Sequence, residues 1–181
     1  LSGLVGSEMC IRDRLKTMGS GSVTGKGRIV GIALAVTDWS AYYPIAHEGG
    51  GNMDEKKVMD YFRTVLSLPA RKIFHNAMYD VCFIRAAGLQ IAGEIVDTMI
   101  AGSLVDENRF RYDLGSMGRD YLGKGKNEAI LAETAKEWGI DPKSEMYKLP
   151  AMYVGEYAER DAELTLELWE EMKKEIYAQD I

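Results

Sequence analysis

Cysteine is scarce. Cys10 and Cys82 are the only two among 181 residues, which excludes a disulfide framework and a cysteine-built zinc cluster. Cys82 sits in an apolar stretch and is expected to pack as a small core residue. Histidine is equally rare. His47 and His75 are not spaced as a metal pair, so each is expected to be a hydrogen-bonded loop or strand-end residue. No apolar run approaches the roughly 20 residues of a membrane span. No basic start, apolar centre and small-residue cleavage site marks a signal peptide. A reducing cytoplasm fits these absences. No cluster of Lys or Arg stands out against the net charge of −6, which argues against a protein that coats duplex nucleic acid by phosphate neutralisation. An enzyme that grips a few nucleotides through bound cations remains compatible with that charge.

What is present suits one domain with a full core: 46% apolar and 28% charged residues, with no repeat and no low-complexity segment. The first residue is Leu, so the chain is expected to be a fragment. Residues 1–14 show neither helical nor strand period, and they resemble an artefactual read-end translation. They are expected to be unstructured, with the folded domain over 15–181. The near-continuous apolar run 28–37 predicts a strand buried on both faces, paired in a hairpin with a strand over 39–45. Asp54 is a plausible cap for a helix reaching residue 66, with Val58, Phe62 and Val65 on one face. A short strand over 71–74 leads to a helix over 76–87, capped by Asn76 and stopped by Gly88. Helices over 97–105, 113–121, 128–138 and 150–178 complete the order. Strands first and helices later predict an α/β fold, a mixed sheet with helices on its faces.

Two acids interrupt apolar surfaces. The helix from Ala77 is apolar nearly all round (Met78, Tyr79, Val81, Cys82, Phe83, Ile84), and Asp80 is its one acid. Asp is also favoured in a first turn by the helix dipole, so Asp80 alone is ambiguous. In the last helix Tyr153, Tyr157, Asp161, Leu164, Leu168 and Met172 form one stripe, while Glu159, Glu163, Glu167, Glu170, Glu171, Lys173 and Lys174 are expected to carry solvated charge opposite. Tyr157 and Asp161 stand one turn apart on the inward face. Asp161 could instead pair with an inward Arg such as Arg85. A buried carboxylate needs a partner or it protonates. Two of them on different helices could hold divalent metal, which makes metal-dependent hydrolysis the chemistry to test. For Asp97, Asp106, Asp113 and Asp120 the cap or surface reading wins. The run Gly49–Gly50–Gly51 lacks the Lys-Ser/Thr of a phosphate-binding P-loop and is expected to be a plain loop.

At these residues the sequence resembles the 3′→5′ exonuclease domain of family A DNA polymerases, in the DEDD superfamily. The carriers are Asn76-Ala77-Met78-Tyr79-Asp80 and Tyr157-Ala158-Glu159-Arg160-Asp161, joined by Asp97-Thr98-Met99 and the segment 113–123. Tyr157 selects the tyrosine subgroup. The resemblance implies a ribonuclease H-like fold and a pair of Mg²⁺ or Mn²⁺ ions held in part by Asp80 and Asp161. It implies that Tyr157 orients the attacking water and that Asn76 touches substrate. The implied substrate is a single-stranded DNA 3′ end, the product a nucleoside 5′-monophosphate, and the implied partner a polymerase domain of the same parent chain. The family's first motif, Asp-x-Glu on the first strand, has no counterpart: Glu8 and Asp13 have the wrong spacing. The expectation is therefore an N-terminal strand that is missing and a chain with weak or no activity. The competing readings are an RNase D-like exoribonuclease and a catalytically dead nucleic-acid-binding domain.

Overall fold

A computed structural model describes residues 8–16, 27–125, 128–142 and 144–180. Among them five strands form one mixed sheet, in the order β3-β2-β1-β4-β5. The strands are β1 (Met9–Lys16), β2 (Arg28–Val36), β3 (Trp39–Pro44), β4 (Lys72–Phe74) and β5 (Ile95–Asp97). β1, β2 and β3 pair antiparallel in sequence, while β1–β4 and β4–β5 are parallel. The helices are α1 (Glu55–Ser67), α2 (Ala77–Ala86), α3 (Thr98–Val105), α4 (Leu114–Leu122), α5 (Ala129–Glu137) and α6 (Gly155–Gln179). This is the mixed, helix-flanked sheet the element order predicts.

One expectation is corrected here. The N-terminal strand is not missing, and residues 9–14 are not unstructured: they supply most of β1, the middle strand. Met9 and Ile11 enter the apolar layer on one face, and Cys10 enters the layer on the other. That alternation suits a central strand buried on both sides. Residues 1–7 lie outside the described residues. A second correction concerns the cysteines, since Cys10 is the buried one and Cys82 is only half-buried.

The first layer joins Met9, Ile11, Ile32 and Leu34 to α1 (Val58, Phe62, Val65) and α2 (Phe83, Ile84). The second joins Cys10, Ala33, Ala35 and Ile73 to α4 (Leu114, Met117) and α6 (Ala158, Ala162, Leu164, Leu168, Met172). The sheet thus has α2 on one face and α6 on the other, and both helices pack on β1. Residues 29–35 of β2 are buried on both faces, as the composition of the run predicts. Asp54 caps α1 by accepting from the Lys57 N–H at 2.9 Å.

Lys72 is fully buried at the start of β4. Its ammonium donates to the carbonyls of Leu68, Ala70 (2.9 Å) and Ala92 (2.8 Å), tying the ends of two loops together. Burial depresses its pKa. Tyr42 crosses β2 at Gly31, where an added Cβ would lie 2.1 Å from the phenol oxygen. The phenol reaches His47 Nε2 at 2.7 Å, while His47 Nδ1 meets the Leu149 carbonyl at 2.9 Å. His47 is buried, so it is a hydrogen-bonded loop residue as expected. With Nδ1–H donating to Leu149, Nε2 accepts from Tyr42 and the ring is neutral; burial lowers its pKa accordingly.

Candidate functional site

Asp80 stands in the first turn of α2 and is 3% exposed; Asp161 stands in α6 and is fully buried. The inward stripe of α6 is borne out from Asp161 through Leu164, Leu168 and Met172, with Tyr153 and Tyr157 half-buried ahead of it. Both acids stand on helices that pack on β1, one on each face of the sheet. The last β1–β4 pair is Cys10↔Ile73, and β4 ends at Phe74, directly before α2. On the other face Glu159, two residues before Asp161, accepts from the Tyr42 N–H at 3.0 Å. Tyr42 lies on the rung Tyr42↔Ala33↔Arg12, two residues, or about 7 Å, past Cys10 along β1. Arg85, the alternative partner weighed for Asp161, is exposed on α2.

The face of α6 expected to be solvated is partly engaged. Glu159 and Glu163 bind β3, Glu163 accepting from the Ser40 hydroxyl at 2.7 Å. The two acids accept from a backbone N–H and a hydroxyl of β3, the edge strand. Burial raises the pKa of Glu159, and the charges of Glu163 and Glu156 add to the rise against the Tyr42 hydrogen bond. This bracket holds the Asp161 turn against the sheet.

The start of α2 is corrected as well. Asn76 occupies the cap position, but its backbone is left-handed (φ 65°) and its side chain makes no capping bond. Asp97 does the capping. Its Oδ1 accepts from the Asn76 N–H at 2.9 Å and its Oδ2 from the Ala77 N–H at 2.7 Å. Oδ1 also accepts from the Met99 N–H at 2.9 Å, capping α3 as expected. The parallel pair Phe74↔Asp97 brings one carboxylate to the heads of two helices. Beside it His75 Nδ1 lies 2.9 Å from the Thr98 hydroxyl, which donates to the Phe74 carbonyl. His75 is therefore a buried, hydrogen-bonded residue, as expected.

Tyr157 opens onto a cleft of about 880 Å³ between α4 and α5, lined also by Arg111, Asp113, Arg119, Leu131 and Met146. Asp113 caps α4 through the Ser116 N–H at 3.0 Å. Burial opposes its charge, but bonds from Ser116 and the nearby Arg111 and Arg119 hold its pKa below the usual carboxylate range. The two arginines bring positive charge to a cleft that Asp113 and Glu128 also line. Their signal in the sequence is the spacing around the cap, Arg111-Tyr112-Asp113 followed by Arg119 two turns on. Gly51, expected in a plain loop, is at φ +80°, and Gly50 accepts from the Ala151 N–H at 3.0 Å, so the run braces the approach to α6.

Two buried carboxylates are the oxygen donors that hard cations take. They do not complete a set: among the described residues no group of three or more His, Cys, Asp or Glu could hold a metal ion. The sequence of β1, Met-Cys-Ile-Arg-Asp-Arg-Leu-Lys, holds no Asp-x-Glu. Asp80 and Asp161 thus fit as part of a cation site and fall short of a whole one.

The pattern of the 3'-5' exonuclease family of DNA polymerase A matches residues 17–177. The chain belongs to this family. It is 35% identical over 157 residues to a DNA-directed DNA polymerase of Pseudomonas phage M6, covering 84% of the chain and 24% of that protein. It is 24% identical over 163 residues to DNA polymerase I of Chloroflexus aurantiacus, covering 83% of the chain and 16% of that protein. The chain therefore spans about a quarter or less of these polymerases. Among solved structures, Brucella melitensis NrnC shares the fold with a TM-score of 0.71 at 16% identity, over 99% of this chain and 78% of that one. That nuclease has also been solved with bound Mg²⁺, with a TM-score of 0.67 at 16% identity, over 97% of this chain and 76% of that one. The exonuclease family and its ribonuclease H-like architecture agree with the resemblance read from the two carboxylate motifs. Among the described residues no helix is long and apolar enough to cross a membrane.

Proposed function

We propose that this chain is the proofreading 3′→5′ exonuclease domain of a longer DNA polymerase, at work in the cytoplasm of a bacterium or a phage-infected host. Its substrate is a single-stranded DNA 3′ end, and its product is a nucleoside 5′-monophosphate. The observation that supports the reading is the family match over residues 17–177, together with the burial of Asp80 and Asp161, the acids of the two motifs. Asp80 and Asp161 would hold Mg²⁺ or Mn²⁺, whose charge, when bound, stabilises a phosphate under attack. Tyr157, on the wall of the arginine-lined cleft, orients the attacking water by hydrogen bonding. Asn76, exposed ahead of α2, would touch the substrate. Arg111 and Arg119 neutralise the incoming phosphates.

The incomplete carboxylate set makes this polypeptide a weak or inactive nuclease. Even loss of support around a metal ligand costs about 10–100-fold, and absent ligands cost more. The test restores Asp-x-Glu on β1 with the pair Arg12→Asp and Arg14→Glu. With Mg²⁺ the restored chain is expected to shorten 5′-labelled single-stranded DNA, and the parent chain is not. In the restored background Asp161→Ala abolishes the activity and Tyr157→Phe reduces it. Rates unchanged by both substitutions would remove the assignment, and robust digestion by the parent chain would remove the claim of an incomplete site. Faster degradation of RNA than of DNA would favour the RNase D-like alternative.

A further inference from the structure

Phe110 is fully solvent-exposed, at 103% of the reference for its type. Phenylalanine is ordinarily a core residue, and the loop that carries this one is not loose. Asp106 caps the loop by accepting from the Asn108 N–H at 3.0 Å, and the Tyr112 phenol donates to the Asp106 carbonyl at 2.8 Å. Arg109 is clamped between Asp120, at 2.6 Å, and the face of the Tyr121 ring, 5.1 Å from its centre. Both neighbours of Phe110 in sequence are arginines; Arg109 is engaged in that clamp, and Arg111 lines the cleft that Tyr157 opens onto. A braced loop thus holds a bare aromatic ring beside an arginine that lines the cleft.

We propose that Phe110 is a stacking platform for a base of the single strand threaded along the α4–α5 cleft, one nucleotide or a few away from the reacting phosphate. The proposal rests on the exonuclease reading above. A protein partner would be served by any apolar contact. An aromatic face next to a cleft arginine matches what a nucleotide offers, a π-surface and a phosphate on the same unit. Stacking is tolerant of base identity, which suits an enzyme that must accept any 3′-terminal sequence.

The test measures binding, so it does not depend on a complete cation site. The full chain is titrated against a fluorescein-labelled single-stranded DNA decamer and against the same decamer with abasic sugars at its three 3′ positions, read by anisotropy at low salt. Phe110→Ala is expected to weaken binding of the ordinary decamer roughly 5- to 100-fold, the range produced by loss of one base–aromatic stack. It is expected to leave the abasic decamer's affinity unchanged, and Phe110→Trp is expected to retain full affinity. Arg111→Ala weakens both decamers and flattens the salt dependence. Ordinary-decamer affinity within twofold of the parent in Phe110→Ala, with Arg111→Ala still damaging, overturns the stacking role and leaves the exonuclease reading standing; that is also the result a protein-docking role for Phe110 gives. Failure of the parent to bind either decamer, with no effect of Arg111→Ala, overturns both. Because Phe110 has no buried surface to lose, the alanine variant keeps the parent's circular dichroism and melting temperature.

Discussion

Asp97 is the residue whose removal tests the architecture of the site most directly. One carboxylate accepts three backbone N–H groups, from Asn76, Ala77 and Met99, at 2.7–2.9 Å. In Asp97→Ala, α3 loses an ordinary cap, worth about 1 kcal/mol. The Asn76 and Ala77 groups lose bonds to a charged acceptor, worth about 1.5–3 kcal/mol each when shielded. Asn76 also loses support for a left-handed backbone that costs about 1–2 kcal/mol for an ordinary residue and less for Asn. Asp97 is half-buried, and water can reach the freed groups, so the sum is discounted to about 2–4 kcal/mol. For a domain of this size that corresponds to a fall in Tm of roughly 5–15 °C. Urea unfolding should show a lower midpoint with an unchanged slope. Asp97→Asn keeps one oxygen and should lose about half as much. A change below about 0.5 kcal/mol in Asp97→Ala would refute the account of α2, because the Asn76 side chain makes no capping bond there.

Three further outcomes follow from the packing around the sheet. His47 has a lowered pKa, so its contribution is present above its ordinary value of 6.5 and is lost as pH falls below that toward the folded-state value. Thermal melts should show stability declining across that window in the parent and a flatter profile in His47→Gln. Glu8 meets Arg71 and Lys173 at 2.7 and 2.8 Å. Burial opposes its charge, but the side chains of Glu170, Lys173 and Arg71 beside it lower its pKa to about 2. Its contribution is present above its ordinary value of 4.5 and is lost as pH falls from there toward 2, so Glu8→Gln should be less stable at neutral pH and flatter on the acid side. An unchanged acid limb would mean that the head of β1 is not docked on α6. Gly31→Ala puts a methyl into the Tyr42 phenol, which His47 holds in place, and should cost about 1–3 kcal/mol in chemical denaturation; a neutral effect would show that the Tyr42–His47 bracket is dispensable.

Elements defined by local pattern were legible before any coordinates. The apolar run that became β2, the Asp54 cap, the inward stripe of α6 from Asp161 and the buried Asp80 all follow from period and burial within a single segment. So did the family, because its two carboxylate motifs are each contiguous in the chain. What escaped depends on partners distant in sequence. Residues 9–14 have no strand period, yet a gap between β2 and β4 with apolar layers on both faces makes a strand of them. Glu159 and Glu163 look solvated on a helical wheel and become anchors only because β3 presents an N–H and a hydroxyl to them. Asp97 reads as the cap of its own helix; that it caps α2 as well depends on β5 lying beside β4. Periodicity reports which face of a segment is buried, and the sheet alone decides what that face meets.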